Sequence, residues 1–209
     1  MKKPLIKKIR AVVFDFGGVI ELWGSGGVLR PIAESIGVPV SDFTNEYFKH
    51  NHLSNVGNIT WEEMLLRVVE RFTDSFELKT KVLGIIKDFQ AQNEINSEIL
   101  AFFPILRACG YKVAIFSNAT SQLRIKLKQL GIDVLVDEVV VSGEIGFQKP
   151  HKEAFQVLFE RLGVNPEEVV FIDDARKSLE KADEIGYTPI LFRGNEQLKV
   201  DLRNLGINL

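Results

Sequence analysis

Residues 10–20 read RAVVFDFGGVI: four apolar residues, Ala11 to Phe14, run without interruption into Asp15, and Gly17-Gly18 follow at once. An apolar run without polar alternation predicts a strand buried on both faces, the pattern of a parallel sheet covered by helices on either side. Asp15 then stands at the C-terminal end of that strand. In open α/β sheets this is the edge where ligands bind, and paired glycines let the backbone turn sharply and come close to one. A carboxylate held there serves as a nucleophile, as a metal ligand or as both; the plainer alternative is a turn former.

The same letters contain Asp-Phe-Gly, the metal-binding signature of protein kinases. Only fourteen residues precede it, which leaves no room for the glycine-rich loop, strand lysine and catalytic loop a kinase places upstream. Gly24-Ser25-Gly26-Gly27 reads as a hinge, because it lacks the Gly-Lys-Ser/Thr ending of a phosphate-binding loop.

With 209 residues, 45% of them apolar, the chain can bury a sizeable core and a small accessory module. Its 26 basic and 28 acidic residues give a net charge of -2, so there is no footprint for nucleic acid or for a membrane surface. The early lysines Lys2, Lys3, Lys7 and Lys8 are expected to solvate a tail or first strand. The single cysteine, Cys109, lies in an apolar run and is expected to be buried. No stretch reaches the roughly 18 apolar residues of a membrane span, and the start lacks a signal-peptide pattern, so a cytoplasmic location is expected. In that setting the sequons at Asn58 and Asn118 carry no weight.

From Pro31 to about Gln92 the periodicity is helical and no strand is convincing. Thr60-Trp61-Glu62-Glu63 forms a capping box that predicts a helix through Phe72, with Trp61, Leu65, Val68 and Phe72 on one face. Phe43, Tyr47 and His50 mark the helix before it. From Ser97 onward helix and strand alternate: strands are predicted at 112–116, 137–142, 169–172 and 188–192, with one continuous helix carrying Leu179, Ala182 and Ile185. The rhythm demands a parallel sheet with right-handed crossovers. The expected organisation is an α/β core of residues 1–20 and 93–209 and a helical-bundle cap of residues 21–92 inserted after the first strand.

Four strand ends carry polar residues: Asp15, Ser117-Asn118, Lys149 in the loop after the third strand, and Asp173-Asp174. A parallel sheet brings all of them to one edge. Three carboxylates and a lysine suit a hard divalent cation such as Mg²⁺, which is typically shared between carboxylates, waters and substrate phosphate oxygens; zinc would call for His or Cys. Ser117 and the backbone N–H groups that follow it offer an anion site, and Lys149 adds positive charge.

Taken together, FDFGGV (14–19), FSNAT (116–120), GFQKP (146–150) and FIDDA (171–175) resemble motifs I to IV of the haloacid dehalogenase superfamily, in the branch with a helical cap between the first two motifs. The resemblance covers nearly the whole chain and implies a Rossmann-like core with a five-stranded sheet. It also implies that Asp15 is a nucleophile and Mg²⁺ ligand, that Ser117, Asn118 and Lys149 meet the phosphoryl group, that Asp174 binds Mg²⁺ directly and that Asp173 orients its waters. The carbonyl of Gly17 would be a further ligand. Family phosphatases carry a second aspartate at the position of Gly17; its absence removes an acid–base group worth roughly 10² to 10⁴ in rate. Glu21, His50 and His52 are candidate replacements. The reading that follows is a Mg²⁺-dependent phosphatase of a small phosphorylated metabolite. A metal-independent 2-haloacid dehalogenase and a phosphometabolite- or partner-binding protein with little turnover are the alternatives; oligomeric state stays open.

Overall fold

The computed structural model describes residues 8–22, 27–57 and 59–209. The hinge expected at 24–27 falls outside them apart from Gly27, as do Lys2, Lys3, Lys7 and Asn58. In chain order the elements are β1 (Ala11–Phe14), β2 (Glu21–Leu22), α1 (Leu29–Ser35), α2 (Val40–His50), α3 (His52–Asn55), α4 (Trp61–Val69), α5 (Phe76–Ala91) and β3 (Glu94–Ile95). The core continues with α6 (Ser97–Ala108), β4 (Lys112–Ser117), α7 (Gln122–Gln129), β5 (Glu138–Val141), α8 (Ser142–Ile145), α9 (Lys152–Leu162) and β6 (Val169–Asp173). It closes with α10 (Arg176–Leu179), α11 (Ala182–Ile185), β7 (Thr188–Leu191) and α12 (Asn195–Asn204).

Five parallel strands lie in the order β5-β4-β1-β6-β7, so the strand quoted first is the central one, bonded along both edges. Alternate residues of each strand feed opposite sides. Val12 and Phe14 join Val113, Ile115, Val170 and Ile172 under α6, α7 and α12, while Ala11 and Val13 join Phe116 and Phe171 under α9 and α11. This is why the strands read as unbroken apolar runs: the pleat sends every side chain into one of two cores.

A third apolar cluster is drawn entirely from residues 28–89, with Phe43, Met64, Leu65 and Val68 fully buried. The capping box forms as the residue types predict: Thr60 Oγ1 accepts from the Glu63 N–H at 3.1 Å, and Glu63 Oε2 accepts from the Thr60 N–H at 2.8 Å. The helix it opens ends at Val69, not at Phe72. Phe72 lies beyond the last turn, partly exposed, with its ring 5.9 Å from that of Phe43. Two segments connect this layer to the sheet, and they pair as an unforeseen antiparallel ribbon, Glu21 with Ile95 and Leu22 with Glu94. Away from the ribbon the layers touch again, where Ser142 Oγ donates to the carbonyl of Asn55 and Gly57 meets Gly143 so closely that a Cβ on Gly57 would lie 2.5 Å from the Gly143 oxygen.

Two other expectations are corrected. Cys109 is exposed, because α6 stops at Ala108 and the chain turns outward at Cys109 and Gly110. The continuous helix expected around Leu179 to Ile185 is instead two single turns, α10 and α11; the Ser178 carbonyl accepts from the Tyr187 hydroxyl at 3.4 Å, and a new turn starts from the Lys181 carbonyl. No described helix is long and apolar enough to cross a membrane.

Candidate active site

The C-terminal edge of the sheet opens into a cavity of about 1120 Å³. Asp15, Gly17, Ser117, Asn118, Lys149 and Asp174 all line it, so residues far apart in sequence meet as the strand order requires. Asp173 lies just beneath, fully buried.

Lys149 is the hub. The residue is 3% exposed, and its ammonium group donates to Asp173 Oδ2 at 2.6 Å and to the Phe116 carbonyl at 3.0 Å, with Asp15 Oδ1 at 3.0 Å. The ring centroids of Phe171 and Phe116 lie 5.0 and 5.4 Å from Nζ. Burial alone would lower the lysine's pKa, but the charges and hydrogen bonds of Asp15 and Asp173 prevail and hold it above the usual lysine value. It therefore stays a cation in a nearly dry place.

Asp15 continues the strand, its N–H bonded to the Ile172 carbonyl at 2.8 Å, and its Oδ1 accepts from the Phe16 N–H at 2.7 Å. Burial, reinforced by the charge of Asp173, pushes its pKa up to about 7 against the opposing pull of Lys149. Asp174 is raised in the same direction, again by burial first and Asp173 second. Asp173 has both oxygens occupied, Oδ2 by Lys149 and Oδ1 by the Ala175 N–H at 2.8 Å.

These residues fit a hard divalent cation. Asp15, Asp173 and Asp174 each offer an oxygen, all within 4.8 Å of one another. Counted as ions, three carboxylates and one ammonium carry a net charge of -2, which one divalent ion cancels. With Asp173 held by its two partners, Asp15 and Asp174 are the carboxylates placed to bind directly. Gly18 makes room for this: its φ is +77°, and a Cβ there would lie 2.3 Å from Asp174 Oδ2.

Asn118, expected to meet the phosphoryl group, lines the cavity, and its side-chain amide is engaged with Lys149. Its Oδ1 accepts from the Lys149 N–H at 2.8 Å and its Nδ2 donates to the Lys149 carbonyl at 3.0 Å, so the side chain pins the lysine's backbone. Ser117, at the end of β4, is buried and lines the cavity. Of the three substitutes considered for the missing acid, His50 and His52 do not line the cavity, and His50 Nδ1 lies 2.9 Å from the Glu46 carbonyl. Glu21 does line it, with its carboxylate paired to the ammonium of Lys126.

The cavity's far wall went unread in the sequence. Tyr47, Trp61, Phe89 and Asn93 come from the helical layer, and Gln148 comes from the loop just before Lys149. Gln148 alone had a signal, since it sits inside GFQKP.

Residues 9–180 match the family model of haloacid dehalogenase-like hydrolases. The glyceraldehyde 3-phosphate phosphatase of Methanopyrus kandleri is 36% identical over 101 residues, 47% of this chain and 43% of that protein. The (S)-2-haloacid dehalogenase 4A of Burkholderia cepacia is 33% identical over 114 residues, 54% of this chain and 48% of that one. The matches thus span less than half the length of either relative. A HAD family enzyme of Bacteroides thetaiotaomicron, solved as a magnesium complex, superposes with a TM-score of 0.69 at 20% identity, covering 93% of this chain and 98% of that one. That likeness is one of fold. With its parallel sheet, its motif loops at one edge and the match running through residues 9–180 of 209, the chain belongs to the haloacid dehalogenase-like hydrolases.

Proposed function

We propose that this hydrolase is a Mg²⁺-dependent phosphatase of a small phosphorylated metabolite and that Asp15 is its covalent nucleophile. The observation that carries the reading is the buried Lys149 ammonium, which lies against Asp15 and Asp173 at the foot of a cavity also lined by Ser117 and Asp174. When bound, Mg²⁺ supplies charge neutralisation between the carboxylates and an incoming phosphate. Lys149 and the Ser117 hydroxyl hold phosphoryl oxygens. A carboxylate oxygen of Asp15 attacks phosphorus, the bond from phosphorus to the ester oxygen breaks, and the departing alkoxide takes a proton from water in the cavity. A water molecule then attacks the phosphorus of the aspartyl phosphate, returning the Asp15 carboxylate and releasing inorganic phosphate. Gly17 provides no side chain for either proton transfer, so turnover is fastest for esters with good leaving groups.

Phosphate release from p-nitrophenyl phosphate with Mg²⁺, lost on adding EDTA and lost in Asp15→Asn, is the expected result. No release from any phosphorylated compound at high enzyme concentration, with tight ligand binding by calorimetry, would instead favour a binding protein. One observation favours a second hydrolase reading: position 17 has no carboxylate, so the acid–base group that the family's phosphatases carry there is missing. Against it stand Asp173 and Asp174, which would repel a carboxylate substrate in a metal-free site. Halide release from a 2-haloacid that is indifferent to EDTA would decide for it.

A further inference from the structure

Two distant stretches of backbone meet at Ser142, the first residue of α8 and fully buried. Its Oγ accepts from the Ala119 N–H at 2.9 Å and donates to the carbonyl of Asn55, the last residue of α3 in the helical layer. The Ala119 carbonyl, 3.3 Å from the same oxygen, already accepts from the Gly143 N–H at 2.9 Å. A hydroxyl has one proton to give, and here that leaves it for Asn55. Gly143 completes the junction: a Cβ there would lie 2.7 Å from the Ala119 oxygen and 3.2 Å from Gly57 Cα, so no side chain fits between loop and layer. Arg124 of α7 ties the other end of α8, its Nε and Nη2 each 2.7 Å from an oxygen of Glu144.

What the junction holds is the loop that carries Ser117. Asn55, Ala119 and Thr120 line the cavity together with Ser117 and Asn118. Two consecutive residues of the loop are fastened to the stretch from Ser142 to Lys149: Asn118 through its amide to the Lys149 backbone, and Ala119 through its own N–H and carbonyl to Ser142 and Gly143. The Ala119 N–H, one of the groups expected to meet an anion, is thus used on Ser142 and sets the course of the chain as it leaves β4. Of the two fastenings, the one at Ser142 also reaches the helical layer.

Resting on the phosphatase reading, we propose that Ser142 is a positioning residue for phosphoryl transfer: its hydroxyl aims the Ser117 loop at the phosphoryl group, and the Asn55 carbonyl of the helical layer holds that hydroxyl in its orientation. Ser142 does not line the cavity, so it acts through Ala119. In Ser142→Ala the Ala119 N–H loses its acceptor and the Asn55 carbonyl its donor, both at a fully buried position, and the loop relaxes around Ser117. Asp15 and Asp174 follow β1 and β6, whereas Ser142 bonds to the loop after β4 and to α3. A misplaced phosphoryl contact and a damaged ion site are therefore separable by measurement.

The test uses p-nitrophenyl phosphate with Mg²⁺ and inorganic phosphate as the competitor. Ser142→Ala is expected to lower kcat/KM about tenfold and to raise the phosphate inhibition constant by a similar factor, with the Mg²⁺ concentration for half-maximal activity unaltered. Gly57→Ala sets a methyl group against the Gly143 oxygen and lifts the layer from Ser142; it is expected to cost about threefold alone and nothing further in Ser142→Ala. Unchanged kcat/KM in folded Ser142→Ala, a Mg²⁺ requirement that rises with the phosphate constant, or losses that multiply in the double variant each overturn the proposal. If Ser142→Ala does not fold, amide exchange in Gly57→Ala decides: faster exchange of the Ala119 N–H supports the link, and an unchanged rate overturns it. If the unaltered protein leaves p-nitrophenyl phosphate intact, the phosphatase reading fails and calorimetry with inorganic phosphate and Mg²⁺ decides the positioning role. Binding weaker by about threefold or more in Ser142→Ala supports it, and equal binding, or none in either protein, overturns it.

Discussion

The floor and the wall of the cavity are built on opposite plans. On the floor, Lys149 meets two carboxylates and a carbonyl, and Asp173 has both oxygens engaged. On the wall, Asn93 Oδ1 and Gln148 Oε1 are buried without a hydrogen-bond partner among the described residues. The difference lies in the floor's task. Charges that must be in place when a bond breaks are fixed in advance by the fold, because reorganising them during reaction would raise the barrier.

The contrast is broken most severely at Lys149. In Lys149→Met, Asp15 and Asp173 face each other buried and uncompensated, so phosphate release is expected to vanish and denaturant unfolding to show a loss of about 3–5 kcal/mol; an active, equally stable variant would contradict the plan. Asn118→Ala removes both bonds to the Lys149 backbone and is expected to lower kcat by about 10- to 100-fold, since displacements near 1 Å are that costly. Unchanged kcat would show that the loop positions Lys149 unaided. Gly18→Ala drives a methyl group into Asp174 and is expected to raise the Mg²⁺ concentration for half-maximal activity about tenfold, or about 1.4 kcal/mol of ion binding. An unaltered Mg²⁺ requirement would remove Asp174 from the ion's ligands.

Titration sharpens the comparison further. Asp15 binds its proton more tightly in the fold, near 7, than in the unfolded chain, near 3.8. The stability it contributes is complete below the unfolded value and is lost as pH rises through about 7. Without Mg²⁺, the melting temperature is expected to fall by about 3 °C between pH 6 and pH 8, equivalent to about 1 kcal/mol for a chain of this size. Saturating Mg²⁺ or Asp15→Asn should flatten the slope; the same slope in Asp15→Asn would point to another group. The smallest effect is expected at the wall, where Glu62→Gln weakens an exposed bond to Gln90 and should shift stability by no more than about 0.5 kcal/mol.

How far the sequence could be read follows the same division. The strand runs were plain because both faces of the sheet are covered, and the polar residues after them were plain because a parallel sheet gathers its strand ends. The ribbon of Glu21–Leu22 with Glu94–Ile95 is two residues wide, too short for any alternation to show. Leu179, Ala182 and Ile185 keep helical spacing although the backbone breaks between Leu179 and Ala182, since spacing reports which side faces inward and not which carbonyl receives which N–H. Cys109 follows Leu106 at a spacing that points inward, but it is the capping residue of a helix already ended. Asn118 was legible as polar at a strand end; that its amide would be used on Lys149, 31 positions later, depends on how two loops are placed against each other.

The bonding of β1 along both edges has a consequence for how the protein loses activity. Amide protons in such a strand exchange with deuterated solvent only when the sheet opens as a whole. Asp15 is anchored to the same lattice through its own N–H, so mild heat or denaturant cannot dislodge this carboxylate by itself. Inactivation that precedes the cooperative transition must begin in the helices above the sheet.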